Sequence, residues 1–164
     1  MPEENRQIVQ VATEVLETVL DLLGVDASVN ASAGGLAEDE PPEEPNITLD
    51  IEGDDLGILI GWHGQTLASL QYLVRLIVTC KMENHLPIVV DVNGYKQRRY
   101  EALRALATRI AEQVMVKKTP FALEPMAAYE RRIIHVTLAS HSHVITESTG
   151  YGDARKVVIM PKRL

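Results

Sequence analysis

Two short constellations in this 164-residue chain combine residue types and spacings suited to gripping a phosphodiester. The first is Gly61-Trp62-His63-Gly64, followed by Gln65-Thr66. Two glycines three apart allow close backbone approach, because neither carries a Cβ. A helix starting there presents the free N–H groups of Gly64, Gln65 and Thr66 to an anion. The same four residues also describe a tight helix–helix turn, and alone the motif is weak. No fixed positive charge lies between the glycines. Trp62 offers a face for stacking a base. His63 offers a donor that strengthens on protonation. The blander alternatives are that Trp62 packs against the domain or a partner and that His63 is merely hydrated.

The second constellation is Arg131, Arg132 and His135. Arg131 and His135 are four apart, so a helix stacks them on one face. A guanidinium fork and an imidazole donor can then meet one phosphate. The spacing alone equally describes a solvated helix face. Ile133 points the opposite way, toward a core. A further cationic cluster, Lys96, Arg98 and Arg99, falls in or near the first turn of a helix, where cations oppose the macrodipole. Either it pairs with acidic groups of the N-terminal half or it touches phosphate.

Other chemistry is missing from the sequence. There is no Ser/His/Asp arrangement, no His-Glu-x-x-His and no phosphate-binding Gly-x-x-x-x-Gly-Lys loop, so no enzyme is expected. His141-Ser142-His143 lacks a third ligand nearby, and neither metal nor cofactor is expected. Cys80 lies inside a helical pattern and reads as a buried small apolar group.

Charge is divided along the chain. Residues 1–94 hold 3 Lys/Arg against 17 Asp/Glu, a net of −14, whereas residues 95–164 hold 13 against 6, a net of +7. A polyanion is drawn first to the C-terminal part. Aromatics are 4% of the residues, so the cores must be aliphatic. One cysteine excludes an internal disulfide. No apolar run approaches the roughly 20 residues of a bilayer span, and the polar N-terminus lacks a secretion pattern. A soluble, cytoplasmic protein without membrane insertion is expected.

Periodicity supplies the elements that position these residues. A helix is predicted over 5–23, a strand over 25–31, an acidic Pro/Gly-rich loop over 33–45 and a strand over 47–51. Asp54-Asp55 offers a possible N-cap to a short helix, 56–60, and a long helix follows over 65–84. The near-continuously apolar strand 88–92 is expected to be central. A helix over 95–116, an extended piece at 119–123 and a helix from Pro125 to about Ser140 follow. A hairpin of 144–148 and 156–160 ends the chain.

The order helix, strand, strand, helix, helix, strand, with the glycine loop between the paired helices, is that of a type II KH domain. Leu59-Ile60-Gly61, Gly64-Gln65-Thr66-Leu67, Leu70-Gln71-Tyr72-Leu73, Asp91-Val92-Asn93-Gly94-Tyr95 and Arg98-Arg99 resemble the bacterial Jag family (SpoIIIJ-associated proteins, also called KhpB or EloR). Glu130 to His135 resembles the R-3-H domain that follows KH in that family. Ser148, Gly150, Gly152 and Arg155 match its Ser-x-Gly-x-Gly-x-x-Arg pattern, with Tyr151 where an acid is usual. The glycines there equally suit plain turn chemistry.

The resemblance implies an α+β chain, with a type II KH domain (αββααβ) over 1–93 and a small α+β R-3-H domain with its leading helix over 94–164. It implies single-stranded RNA, or single-stranded DNA, as ligand, held by Gly61, Trp62, His63, Gly64, Gln65, Thr66, Lys96, Arg98, Arg99, Arg131, Arg132, His135 and Arg155. It also implies RNA chaperoning or post-transcriptional control linked to cell elongation and envelope synthesis, and a small single-KH partner protein. The family's extra N-terminal domain is expected to be absent. Members usually carry Lys or Arg in the glycine loop, and Trp62-His63 departs from that. A protein-interaction adaptor with a degenerate loop is the rival reading.

Overall fold

The computed structural model describes residues 3–33, 47–83 and 87–162. The chain divides into two compact units, Met1–Lys96 and Gln97–Leu164. Each has its own aliphatic core. A fully buried Leu or Ile contributes about 1.5–3 kcal/mol, so aliphatic side chains suffice where aromatics are scarce.

The first unit runs α1 (Glu3–Leu23), β1 (Ser28–Ala33), β2 (Ile47–Glu52), α2 (Gly57–Ile60), α3 (Gln65–Met82) and β3 (Ile88–Val92). This is the αββααβ order of a type II KH domain. Helix α1 buries Ile8, Ala12, Val15, Leu16 and Leu20, the stripe its 3.6-residue period requires. It stops at Gly24, whose φ of +68° ends the helix at little cost. Ala33 closes β1, and the rest of the predicted acidic loop, 34–45, lies outside the described residues. Helix α2 begins without a side-chain cap from Asp54 or Asp55, and buried Leu56 precedes it.

The sheet order is β1-β2-β3, with β1 antiparallel and β3 parallel to β2. Strand β3 is therefore an edge, not the centre its apolar run suggested. Ile88, Val90 and Val92 face the core. The outer edge is closed by side chains of α3: Gln71 Oε1 accepts the Val90 N–H at 3.0 Å, and Arg75 Nε donates to the Ile88 carbonyl. An edge covered in this way can be as apolar as an interior strand. Helix α3 buries Leu67, Leu70, Val74 and Val78. Cys80 is exposed, contrary to expectation, because it lies one turn beyond exposed Leu76 on the outer face.

Helix α4 (Tyr95–Lys117) begins in the first unit and continues in the second. The second unit continues with β4 (Phe121–Ala122), α5 (Ala128–Leu138), β5 (Val144–Thr149) and β6 (Lys156–Pro161). Its sheet order is β4-β6-β5, all antiparallel. Helix α5 starts three residues after Pro125 because the segment before it is tied to β6. Leu123 N–H donates to the Val157 carbonyl at 2.9 Å and Met126 N–H to the Arg155 carbonyl at 3.2 Å. Amides paired to β6 and to the residue just before it hold the chain extended until Ala127.

Candidate nucleic-acid interface

The glycine loop is a single 3-10 turn, Trp62–Gly64, between α2 and α3. Gly61 and Gly64 have φ of +69° and +79°. Space as well as φ demands glycine at both. A Cβ on Gly61 would sit 2.1 Å from Thr66 Oγ1, and one on Gly64 would sit 2.9 Å from Tyr95 Cε1. The first turn of α4 thus lies against the loop. Gln65 N–H, expected to face an anion, donates to the Trp62 carbonyl. Thr66, also exposed, turns its hydroxyl toward Gly61. Trp62 is 70% exposed. Its ring stacks on His63 with centroids 4.4 Å apart and planes 26° apart.

Lys96 does not join the loop. Its Nζ donates to Gln71 Oε1 at 2.7 Å, and burial pulls its pKa below the usual lysine value, with Asp91 opposing and Arg75 adding. A pair that sequence reasoning missed lies alongside. Asp50 and Asp91 are register partners on β2 and β3. Asp91, 1% exposed, uses Oδ1 to accept the N–H groups of Val92 at 2.8 Å and Lys96 at 3.2 Å. Asp50 accepts the Gly94 N–H. Two carboxylates thus satisfy orphan donors at the start of α4. Burial, then Asp91 and Glu52, raise the Asp50 carboxyl above its ordinary value. Among the described residues, Asp50 Oδ1 and Asp91 Oδ2 have no hydrogen-bond partner. The missed signal was an acid inside a strand that otherwise reads Ile-Val-Val-Val.

In the second unit, α5 carries Arg131 and His135 one turn apart, while Ile133 and Ile134 are buried. His135 Nδ1 meets Thr146 Oγ1 at 2.7 Å and Nε2 meets Ser148 Oγ at 2.7 Å. Thr146 and Ser148 are two apart on β5 and so share a face. Both ring nitrogens are therefore occupied, so His135 is no open donor to phosphate. Burial, and secondarily Arg131, lower its pKa and favour the neutral ring. Arg131 Nε donates to the Met126 carbonyl at 3.3 Å. Arg132 is exposed beside it.

Arg155 Nη1 donates to the Gly150 carbonyl at 2.9 Å and braces the hairpin turn. A Cβ on Gly150 would lie 2.9 Å from the Ala154 carbonyl oxygen, whereas Gly152 has open space. Tyr151, 91% exposed, stands between them. Arg99 pairs with an acid of its own unit: its Nε lies 2.7 Å from Oε1 of Glu130, which is 1% exposed. That pair ties α4 to α5. Arg98 is exposed on α4. The rings of His141 and His143 are 6.3 Å apart, and the described residues hold no three-ligand metal cluster.

Both units match described families. Residues 13–92 match the KhpA/KhpB KH domain, and residues 101–161 match the R-3-H domain. The fold and its site thus define a KH–R-3-H protein. Similar curated proteins are each named RNA-binding protein KhpB. That of Clostridium symbiosum is 41% identical over 152 residues, covering 93% of this chain and 65% of that protein. That of Lactiplantibacillus plantarum is 32% identical over 155 residues, covering 94% and 45%. That of Bacillus subtilis is 38% identical over 115 residues, covering 69% and 55%. The chain belongs to the KhpB, or Jag, family. It spans between 45% and 65% of the length of these three relatives. Among the described residues, no helix is long and apolar enough to cross a membrane.

Proposed function

We propose that this chain binds single-stranded RNA as a non-catalytic bacterial regulator or chaperone in the cytoplasm. The observation that carries the reading is the pairing, in one chain, of a glycine loop tipped by exposed Trp62 with a cationic R-3-H unit. In that unit Arg132 is exposed on α5, Arg131 is half-buried beside it, and His135 is held by Thr146 and Ser148. The relatives' shared name supports it. Linkage to cell elongation and envelope synthesis belongs to the same reading.

Titrating labelled mixed-sequence single-stranded RNA at several salt concentrations tests it. Binding is expected, with a log–log salt slope of several ions. Arg131→Ala is expected to weaken every sequence alike and flatten the slope by about one ion. No saturable binding at low salt defeats the proposal.

A second reading has its own support. Tyr72, Leu73 and Leu76 form an exposed apolar stripe on α3. That stripe suits an adaptor role, including capture of a small single-KH protein. Salt-independent protein binding without RNA affinity would favour it.

A further inference from the structure

Resting on the RNA-binding reading, we propose that the Trp62–His63 pair is a stacking platform for one unpaired base, preferably a purine, and not a phosphate clamp. The loop offers a phosphate little charge and one amide fewer than the sequence suggested. No Lys or Arg stands between its glycines. The Gln65 amide is consumed by the Trp62 carbonyl, and the nearest cation in sequence to the start of α4, Lys96, is turned onto Gln71. Arg75, on the helix that follows the loop, is bonded to the Ile88 carbonyl. An aromatic face does not depend on these groups.

What the loop does have is an indole held in place. Trp62 is 70% exposed, and His63 backs one of its faces at 4.4 Å. The opposite face is left for a ligand. His63 holds its ring there from a left-handed backbone, φ +50°, which costs a non-glycine residue energy. Histidine is among the residues that tolerate this region best. Local strain at an exposed aromatic fits a preorganised binding group, which loses less freedom when a ligand arrives. His63 is thus a positioning residue for Trp62. A purine is favoured because its π-face is larger than a pyrimidine's, and stacking scales with contact area.

Trp62 is the sole tryptophan of the chain, so its emission reports this loop alone. The full chain is titrated with fluorescein-labelled oligoadenylate, oligouridylate and an abasic oligonucleotide, following anisotropy and Trp62 emission together. Oligoadenylate is expected to quench Trp62 and to bind more tightly than oligouridylate; the abasic strand is expected to bind without quenching. Trp62→Ala should lower oligoadenylate affinity about fivefold or more and leave the abasic strand unchanged, whereas Trp62→Phe should keep most of it. His63→Asn, which keeps a side chain tolerant of the left-handed region, should lower oligoadenylate affinity by a smaller factor, and His63→Phe should restore it. Equal quenching by the abasic strand overturns base stacking. Anisotropy that reports tight binding while Trp62 emission and the Trp62→Ala affinity stay unchanged also overturns it, and leaves the RNA-binding reading standing. No anisotropy change with any strand removes both.

Discussion

Each of the two units commits part of its defining motif to the scaffold. In the KH unit, Gly61 and Gly64 are required by the fold itself, since Thr66 and Tyr95 occupy the space a Cβ would need. Of the residues between them, Trp62 faces outward and half-buried His63 stacks against it. In the R-3-H unit, His135 is locked between two hydroxyls, Arg131 is half-buried and Arg132 is exposed. In the glycine loop the recognisable letters shape the scaffold and Trp62 is left outside; in the R-3-H motif His135 shapes the scaffold, while Arg131, its other defining letter, and Arg132 beside it are the groups proposed to meet RNA. The units differ in what they leave outside: an uncharged aromatic face in one, guanidinium groups in the other. Affinity through the second should follow ionic strength, and affinity through the first should not.

The comparison can be broken most forcefully at the scaffold of the second unit. Arg99→Ala strands the buried Glu130 carboxylate, and losing one partner of such a pair costs about 3–5 kcal/mol. Denaturant unfolding followed by hydrogen exchange is expected to show early opening of residues 97–162 with the KH amides unmoved. Equal loosening of both units would contradict separate cores.

Next in size are the motif residues themselves. Gly64→Ala forces a side chain into the left-handed region against the Tyr95 ring, at about 1–3 kcal/mol. His135→Ala leaves the Thr146 and Ser148 hydroxyls without their partner, at a similar cost of about 1–3 kcal/mol. Both variants are expected to lose stability, read by denaturant midpoint. At temperatures where they stay folded, RNA affinity should change little. A large affinity loss in fully folded His135→Ala would restore the ring to the ligand surface.

The smallest effect is a pH response of opposite sign in the two units. His135 has a folded pKa below its ordinary 6.5. Its contribution is complete above that value and is lost as pH falls through the folded pKa. Asp50 has a folded pKa above its ordinary 3.8. Its contribution is complete below 3.8 and is lost as pH rises through the folded pKa. Acidification therefore costs the R-3-H unit its His135 share and returns the Asp50 share to the KH unit. Asp50→Asn should stabilise the KH unit at neutral pH, and that advantage should fade toward the pH at which Asp50 itself is protonated. A pH-independent advantage would remove the Asp50–Asp91 repulsion as its cause.

Much of this was legible in the residues. Spacing located the helices and strands of both units apart from the short 3-10 turns at 62–64 and 152–154, and left open whether Trp62 packs or stands exposed. What escaped were relations between distant residues. Periodicity reports that Ile88, Val90 and Val92 face a core, but not that Gln71 and Arg75 seal the strand's free side. Nor does it report that Asp91 turns into the start of α4, or that Arg99 finds Glu130 on α5. The late start of α5 has the same origin, because Met126 is paired to a residue almost thirty positions further on. The position of Cys80 was misread for a simpler reason: its apolar character outweighed its place on the outer face of α3.

Gln71 serves two donors at once, the Val90 amide and the Lys96 ammonium. One carboxamide thereby stitches the rim of the sheet to the root of α4. With the Val90 amide and the Ile88 carbonyl both taken, that rim is a poorer template on which a foreign strand could zip.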